Sequence, residues 1–378
     1  MKYIDHLYSQ GQENGAIGIE LCSRDRMFEL EPKLNPDTIG GLHAPSGGIL
    51  EPYRFVFSMV ESAQKNGVEV MTDFEVSKAE PLSTGYRIHA ADGRSIEADY
   101  VVNAAGLYAD RVSAIFGAEK YEIHPRKGEY YLLDRQTKAS PHKVLFPTPT
   151  KVSKGMLVIP TCEGTVLVGP TAEEIDDKED VATSAEQLDR IFDAARKMMP
   201  VVSQNDVITS FAGLRPALSE GDFFIDISKQ APNLIQVAGI QSPGLTASPA
   251  VGEYVKNLLK KAGATLTEKP DWDPFVSKLP RIRDAGPFDA DQLVQQRAEY
   301  GNVVCRCEEI SEAEILEAIR RGHTTLDGVK YFTRAGMGRC QGGFCSYKIM
   351  KILMRETGLS FEEISKRGRG SELLVGTL

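Results

Sequence analysis

The chain has 378 residues, of which 42% are hydrophobic and 26% charged, and it carries a formal net charge of −9. This length and composition predict two or three globular domains with ample core, and the negative charge argues against a nucleic-acid partner, whose phosphates need a basic surface. No apolar run reaches the roughly 18 residues of a membrane span, and no signal peptide opens the sequence, so the expected location is the cytoplasm.

The first predicted element is a helix over residues 1–14, with no strand before it. A dinucleotide-binding unit begins instead with a strand and the motif G-x-G-x-x-G, whose backbone holds the pyrophosphate. That motif does not occur in this sequence. Gly11, Gly15 and Gly18 have a different spacing and no preceding strand, so we interpret them as loop residues.

Residues 47–106 combine a helix with short strands. Pro52 suits a first helical turn and Gly67 the position just past the last, which predicts a helix over 52–66. Apolar runs predict strands over 68–71 and 74–80, and a hairpin of 86–90 with 95–103. The last strand leads into three small residues, Ala104, Ala105 and Gly106, which fit either a ligand approaching the backbone or close strand–helix packing.

Strands and turns dominate residues 121–226, with one long helix. A hairpin is predicted for 156–160 with 165–169, and a capping box at Ser184 opens a helix that Pro200 stops. Two basic side chains lie beside predicted strands, Lys127 and, directly before a proline, Arg215. An arginine fork matches two oxygens of a carboxylate or phosphate, although a lone arginine is more often part of a surface ion pair.

Residues 233–259 read NLIQVAGIQSPGLTASPAVGEYVKNLL, which predicts a buried strand over 234–238, a turn-rich loop and a helix. Such a strand–loop–helix directs free backbone N–H groups and the positive helix end at one point, where an anion or an electron-rich carbonyl fits. For the glycines alone, an ordinary turn of an α/β protein is an equally good interpretation.

Four of the six cysteines cluster near the end of the chain. Cys305-x-Cys307 precedes a capping box at Ser311, two predicted helices follow, and Cys340 and Cys345 then lead into a third helix. In a reducing compartment this pattern favours a metal site over disulfides, and four thiolates suit either structural zinc or an iron-sulfur cluster. Cys22 and Cys162 are predicted to be buried packing thiols.

The stretch VAGIQSPGLTASPAVGE resembles the C-terminal flavin motif of the FAD-dependent oxidoreductases that include D-amino-acid oxidase, glycine oxidase and glycerol-3-phosphate dehydrogenase. The resemblance implies that the loop covers the isoalloxazine and that Ala104, Ala105 and Gly106 close over the dinucleotide. It also implies that the backbone of Val76 holds the adenine, although the sequence alone favours plain strand core for Val76. The residues expected against the flavin are Gly239, Pro243, Gly244, Leu245 and Thr246.

In that family the arginine of the G-x-R-P motif, here Arg215, holds the anionic end of the substrate. Lys127 and His43 are weaker candidates, the first for the same anion and the second for the hydroxyl proton of the substrate. A structural role is the alternative for His43. The chain resembles a family member that lacks roughly its first hundred residues, the size of a βαβ unit and its surroundings, and we expect such a chain to bind FAD weakly by itself.

The cysteine-rich end resembles the bacterioferritin-associated-ferredoxin-like (BFD-like) [2Fe-2S] domain, with Cys305, Cys307, Cys340 and Cys345 as ligands. The implied fold is mixed α/β and α+β: a partial, glutathione-reductase-like FAD-binding domain, an antiparallel substrate sheet and a small helical domain. The expected domains are an oxidoreductase domain (1–262, with flavin parts at 46–120 and 233–262 and the substrate sheet at 121–232), a linker (263–300), the [2Fe-2S] domain (301–358) and a tail (359–378).

Together these resemblances imply an FAD-dependent dehydrogenase of the glycerol-3-phosphate type that passes electrons through a [2Fe-2S] cluster to a partner subunit. Association with a membrane is expected only through that partner subunit. The substrate alternatives are a 2-hydroxy acid such as L-2-hydroxyglutarate and an amino acid, because Arg215 suits a carboxylate as well as a phosphate. A different alternative is a truncated, non-catalytic electron-transfer module.

Overall fold

A computed structural model describes residues 2–148, 155–219, 221–374 and 376 of the chain, without the side chain of Lys2. Met1 of the predicted first helix, residues 149–154 and 220 of the predicted substrate sheet, and residues 375, 377 and 378 of the predicted tail lie outside that range. The chain opens with helix α1 (Lys2–Glu13), as predicted, followed by strand β1 (Glu20–Ser23), helix α2 (Arg24–Leu30) and strand β2 (Gly40–His43). Strands β1 and β2 form an antiparallel pair in which Glu20 faces His43.

Helix α3 (Pro52–Lys65) agrees with the prediction, and it carries proline in its first turn. The strand predicted for residues 68–71 is wrong: no strand forms there, and Val68 and Val70 are exposed. Valine favours a strand only where a partner strand and a packing surface exist, and this stretch meets neither. Strands β3 (Val76–Pro81), β4 (Tyr86–Ala90) and β5 (Ser95–Ala98) form a three-stranded antiparallel sheet.

The second arm of the predicted hairpin, 95–103, divides between two sheets. Its first part is β5, whereas β6 (Val101–Asn103) pairs in parallel with β13 (Leu234–Ala238). Strand β12 (Phe224–Ile227) completes this second sheet in the order β12-β13-β6. Helix α4 (Ala109–Ile115) follows β6, and helix α6 (Gly244–Lys261) follows β13 and begins earlier than the sequence indicated.

The largest sheet has five strands. The long strands β7 (Ile123–Leu133) and β11 (Val207–Leu218) pair antiparallel over most of their length. Strands β9 (Val166–Gly169) and β8 (Leu157–Pro160) extend the sheet on one side of β7, and the short β10 (Glu173–Glu174) pairs with β7. Helix α5 (Ala185–Met198), capped by Ser184 as predicted, packs Ile191 and Phe192 into the core beneath the sheet.

The end of the chain forms a small helical unit with its own core. The predicted linker contains helix α7 (Pro287–Gln296), which sequence reasoning missed. Strands β14 (Val303–Cys305) and β15 (Ile310–Ser311) then lead into helices α8 (Glu312–Arg320), α9 (Leu326–Thr333) and α10 (Ser346–Thr357). The capping box at Ser311 is present with both of its hydrogen bonds. A cluster that includes Ile310, Ile315, Val329 and Leu353 forms the core of this unit.

Candidate active site

The structure brings two predicted cofactor-binding stretches to one edge of a sheet. Strands β6 and β13 run parallel, with Val101 opposite Leu234 and Asn103 opposite Gln236. Their carboxyl ends therefore lie side by side, and the chain continues from β6 into residues 104–106 and from β13 into residues 239–246. The carboxyl ends of neighbouring parallel strands are where open α/β sheets bind their ligands.

The loop after β13 presents unpaired backbone donors. Pro243 is the N-cap of α6 and gives no side-chain cap. Within the described residues the N–H groups of Leu245 and Thr246 have no acceptor, and both residues are exposed. Free amides and a positive helix end favour an anion or a carbonyl oxygen that gains negative charge. The loop therefore fits a flavin edge.

Gly239 is held in a backbone conformation that side-chain-bearing residues rarely adopt. Its φ is +72°, and a Cβ on this residue would lie 2.6 Å from Leu218 Cδ1. Gly244 is packed as tightly, since its Cβ would meet Ile240 Cγ2 at 2.5 Å. Glycine is thus required at both ends of the loop by close approach of neighbouring groups, and at Gly239 also by conformation.

A buried polar network beneath the two strand ends was missed by sequence reasoning. Gln236 is fully buried, and its Oε1 accepts from Asn103 Nδ2 at 2.8 Å and from the Tyr121 hydroxyl at 3.0 Å. Its Nε2 donates to Ser113 Oγ at 2.7 Å, and burial raises the pKa of Tyr121 to about 12. Asn103 Oδ1 also accepts from the N–H of Ala105 at 3.3 Å, so the network fixes the small-residue turn. The available signal was an amide side chain in an otherwise apolar strand.

Val76 and His43 lie in two other sheets. Val76 packs in a hydrophobic cluster with Val101 and Leu234, the first residues of the two parallel strands. His43 ends strand β2, and its Nδ1 lies 3.7 Å from Glu20 Oε2. The Val76 side chain is therefore part of a hydrophobic core. The carboxylate beside His43 is that of Glu20, which belongs to neither the loop of residues 239–246 nor the large sheet.

Arg215 lies on the open face of the large sheet, against a glycine. It is opposite Arg126 in the β7–β11 register, with Gly213 opposite Gly128. A Cβ on Gly128 would lie 2.5 Å from Arg215 Nη2, so the guanidinium rests on the bare backbone. Arg215 is partly buried, and its guanidinium has no ion pair or hydrogen bond within the described residues. A half-buried, unpaired guanidinium is suited to an anion supplied from outside the chain.

Lys127 is on the opposite face of the same sheet, because neighbouring residues of a strand alternate. It is only 7% exposed, and its Nζ lies 2.8 Å from Asp180 Oδ2, a contact that raises its pKa. Glu129 on the same face accepts from the N–H of Ser184, the N-cap of helix α5, at 2.9 Å. The structure therefore does not bring Lys127 together with Arg215, and it pairs Lys127 with a carboxylate of its own.

The four clustered cysteines form two close pairs. The sulfurs of Cys307 and Cys340 are 3.5 Å apart, and Cys345 donates to Cys305, a contact that lowers the pKa of Cys305 to about 6 and raises that of Cys345. Within the described residues, no three cysteine, histidine or acidic side chains converge as on a single ion. The four sulfurs are thus arranged two by two.

Backbone amides surround these sulfurs. Those of Gly336 and Glu308 donate to Cys305, and those of Phe344 and Gly342 donate to Cys340 and lower its pKa in spite of its burial. A Cβ on Gly338 would lie 2.3 Å from Cys307 Cβ. Four sulfurs with N–H donors and close glycines fit an iron-sulfur cluster. Of the two remaining cysteines, Cys22 is buried as predicted, whereas Cys162 is exposed because it lies in the β8–β9 turn.

A buried ion-pair network joins the cysteine unit to the large sheet. Glu163 in the β8–β9 turn accepts two hydrogen bonds from Arg281, at 3.0 and 3.2 Å, and pairs with Arg283. Burial opposes its charge, but the arginines outweigh burial and lower the pKa of Glu163 to about 2. Glu308, next to Cys307, lies 3.1 Å from Arg334 and 2.6 Å from Arg135. Scattered single charges in the sequence gave no sign of this network.

Two family models match the chain. Residues 1–258 match FAD dependent oxidoreductase and residues 303–355 match BFD-like [2Fe-2S] binding domain. These matches confirm FAD and a [2Fe-2S] cluster as the expected cofactors. No helix within the described residues is long and apolar enough to cross a bilayer.

Similar proteins agree with both matches. A glycerol 3-phosphate dehydrogenase of Caloramator mitchellensis is 40% identical over 100% of this chain and 78% of its own length. An anaerobic glycerol-3-phosphate dehydrogenase subunit A1 of Haloferax volcanii is 25% identical over 92% of this chain and 66% of its own. The FAD-bound L-alpha-glycerophosphate oxidase of Mycoplasma pneumoniae superposes with a TM-score of 0.68 at 29% identity, covering 74% of this chain and 73% of its own. The fold class expected from the sequence is confirmed.

Proposed function

Since the chain belongs to the FAD-dependent oxidoreductase family and ends in a BFD-like [2Fe-2S] domain, we propose that it oxidises sn-glycerol 3-phosphate and delivers the electrons to a partner protein. Glycerol 3-phosphate is named in the relatives from Caloramator mitchellensis and Haloferax volcanii, and the second is a subunit of an anaerobic enzyme. When bound, FAD accepts a hydride and the cluster passes electrons singly.

The observation that carries this proposal is the unpaired guanidinium of Arg215 over Gly128. Its two-pronged donors bind and orient the phosphate of the substrate. The stacked rings of Tyr130 and Phe211, 5.3 Å apart, lie on the same face of the sheet and border this position. Arg126, also on that face, is already paired with Glu174 at 2.8 Å. Arg215 is therefore the cation of this face with free donors among the described residues.

For FAD, we propose contacts from the two stretches at the parallel strand ends. The small residues Ala104, Ala105 and Gly106 leave room for the dinucleotide. The N–H groups of Leu245 and Thr246 donate to the flavin carbonyl that gains negative charge, and Gly239, Pro243 and Gly244 shape the loop. The backbone of Val76 stays a prediction as the adenine contact, and His43 stays one as acceptor of the hydroxyl proton. Lys127 is left out of the proposed site because it faces the other side of the sheet.

For the cluster, we propose Cys305, Cys307, Cys340 and Cys345 as ligands. Their arrangement in two pairs supports this assignment, since each iron of a two-iron cluster takes two cysteines. We also propose the domain limits 1–262 and 301–358, with 263–300 as the connection, which agree in position with the two matched ranges.

Replacement of Arg215 by lysine tests the substrate assignment. Lysine keeps the charge but loses the paired geometry, so kcat/KM for sn-glycerol 3-phosphate falls at least tenfold, because a buried charged contact is worth roughly 2 to 5 kcal/mol. Dye reduction with excess FAD measures the rate, and calorimetry measures substrate binding directly. Arg87→Lys, at an exposed pair with Glu97, is the matched control.

The same assay separates the substrate classes. L-2-Hydroxyglutarate and a panel of amino acids are compared with sn-glycerol 3-phosphate at equal concentration. Faster turnover of a carboxylate substrate, with the same loss in Arg215→Lys, would replace the phosphate by a carboxylate in this proposal. An unchanged kcat/KM in Arg215→Lys would remove Arg215 from the site.

A further inference from the structure

Two aromatic residues of the cysteine unit have highly exposed side chains. Phe344 is 82% exposed and Tyr347 is 62% exposed. Phe344 lies between Cys340 and Cys345 in the chain, and its backbone N–H donates to the sulfur of Cys340. Large exposed aromatic side chains cost free energy in water and are enriched at protein interfaces.

One of these aromatic residues, Phe344, lies beside the cysteine pair that reaches solvent. Cys305 and Cys345 are each 1% exposed, whereas Cys307 and Cys340 are only partly buried. A protein that receives electrons from this unit approaches most closely at Cys307 and Cys340, where Phe344 stands.

The chain segment that carries both aromatic residues is basic, whereas the chain as a whole is acidic. Residues 334–355 contain five basic residues and no acidic residue, although the chain carries a net charge of −9. Arg334, Arg339 and Arg355 have carboxylate partners. Lys348 is exposed with no carboxylate partner in the described part of the chain, and Lys351 lies 5.4 Å from the Tyr347 ring. Two lysines without a carboxylate partner in that part of the chain therefore lie on the helix that carries Tyr347.

We propose that Phe344, Tyr347, Lys348 and Lys351 form the docking surface for an acidic one-electron carrier protein. This inference rests on the proposed function, because the cluster is the electron exit. Each encounter oxidises the reduced cluster by one electron and reduces the carrier by one, with no proton transferred. An aromatic centre with a basic rim is typical of a small, transient interface that is steered by charge.

An anionic membrane is the other surface that such a face fits. The carrier is favoured because Phe344 is bonded directly to Cys345 and hydrogen-bonded to Cys340, a position that matters for electron transfer and has no bearing on lipid binding. Vesicles of anionic phospholipid therefore form one arm of the test.

The test uses protein whose iron content has been confirmed and whose cluster has been reduced with dithionite and freed of excess reductant. Stopped-flow absorbance follows reoxidation by plastocyanin, an acidic copper carrier, and by cytochrome c, a basic haem carrier, both of high potential. No substrate is present, so the outcome is independent of the substrate assignment. Absent iron would refute the proposed ligands instead.

We expect faster reoxidation by plastocyanin than by cytochrome c at low salt, with a rate that falls as salt rises. The double variant Lys348→Glu, Lys351→Glu lowers the plastocyanin rate on the order of tenfold and raises the cytochrome c rate. Phe344→Ala lowers the plastocyanin rate several-fold without changing the visible spectrum. Lys120→Glu, at an exposed lysine of the oxidoreductase part, is the control and leaves both rates unchanged.

Equal plastocyanin rates in the wild-type and charge-reversed proteins would overturn the proposal, as would a faster wild-type reaction with cytochrome c. Vesicle binding that is lost in the double variant while both carrier rates stay unchanged would assign the surface to a membrane and would also overturn it.

Discussion

The free energy of unfolding that Glu163 contributes follows directly from its surroundings. Its carboxylate is buried in the turn between β8 and β9, with Arg281 and Arg283 of the connecting segment as its strongest partners. Glu163→Gln keeps the size of the side chain and removes its charge. The arginines then lose the buried carboxylate that they share and keep only the half-exposed Asp284 and, for Arg283, Glu308 at 3.5 Å.

The pKa of Glu163 gives the expected magnitude. It is lowered from 4.5 to about 2, and each unit corresponds to 1.36 kcal/mol, so the charged form stabilises the fold by about 3 kcal/mol. Removal of one partner of a buried ion pair typically costs about 3 to 5 kcal/mol. The two values agree in order of magnitude, and we expect Glu163→Gln to lose about 3 kcal/mol.

Urea unfolding measures this loss with two separate probes. The visible absorbance of the cluster reports on the cysteine unit, and the fluorescence of Trp272, the single tryptophan, reports on the connecting segment. Because the chain has more than one unit, the first transition is the one compared. Glu174→Gln is the control, since its exposed pair with Arg126 contributes less than about 1 kcal/mol.

The sign of the pH dependence follows from the lowered pKa. The stabilisation is fully present above about pH 4.5 and is lost only as the pH falls toward 2. The difference between wild type and Glu163→Gln is therefore the same at pH 6 and pH 8. A loss below 1 kcal/mol, or one equal to that of Glu174→Gln, would refute the role given to this network.

Three further predictions concern the proposed sites. Gly128→Ala places a methyl group 2.5 Å from Arg215 Nη2 and displaces the guanidinium, so the KM for substrate should rise in steady-state assays. The control is Gly213→Ala, directly opposite on β11, where a methyl group meets open space and KM should stay unchanged. Gly239→Ala should lower the FAD bound at a fixed FAD concentration in spectral titrations, because of its φ of +72° and the contact with Leu218; Gly221→Ala, with φ +81° and open space, should bind as wild type. Cys340→Ser and Cys345→Ser should lose iron, sulfide and visible absorption, and Cys162→Ser, in an exposed turn, should keep them; about one zinc per wild-type chain and no iron would contradict the ligand assignment.

Elements whose signals are local were predictable from the sequence. The strand and loop of residues 233–246 followed from an apolar run and a Gly/Pro-rich turn, and the structure has strand β13 there. The capping motifs at Ser184 and Ser311 marked two helix starts, because their hydrogen bonds span only three residues. The complete capping box forms at Ser311, whereas at Ser184 only the serine side chain caps the helix and its N–H donates to Glu129. The early start of α6 at Gly244 was missed because glycine and proline disfavour helices in isolation.

Features that depend on strand register were beyond the sequence. Lys127 and Arg215 looked like partners because both lie at basic strand positions. Because side chains along a strand alternate between the two faces of the sheet, Arg126 and Lys127 must lie on opposite faces. Only the observed register, in which Arg126 is opposite Arg215, shows that Arg126 and not Lys127 shares the face of Arg215. The same limit hid the pairing of Asn103 with Gln236, since 133 residues separate them in the chain.

The connecting segment shows how this limit bears on function. Its composition is typical of a linker, yet Asn66 at the end of α3 donates to the carbonyl of Asp273 at 2.8 Å, and Arg321 at the end of α8 donates to that of Ser277 at 3.2 Å. Arg321 also pairs with Glu61 of α3 at 2.9 Å. The segment is therefore held between the oxidoreductase part and the cysteine unit over much of its length. Because Glu163 of the β8–β9 turn pairs with Arg281 and Arg283 of the same segment, charges that lie far apart in the sequence hold the cysteine unit to the large sheet.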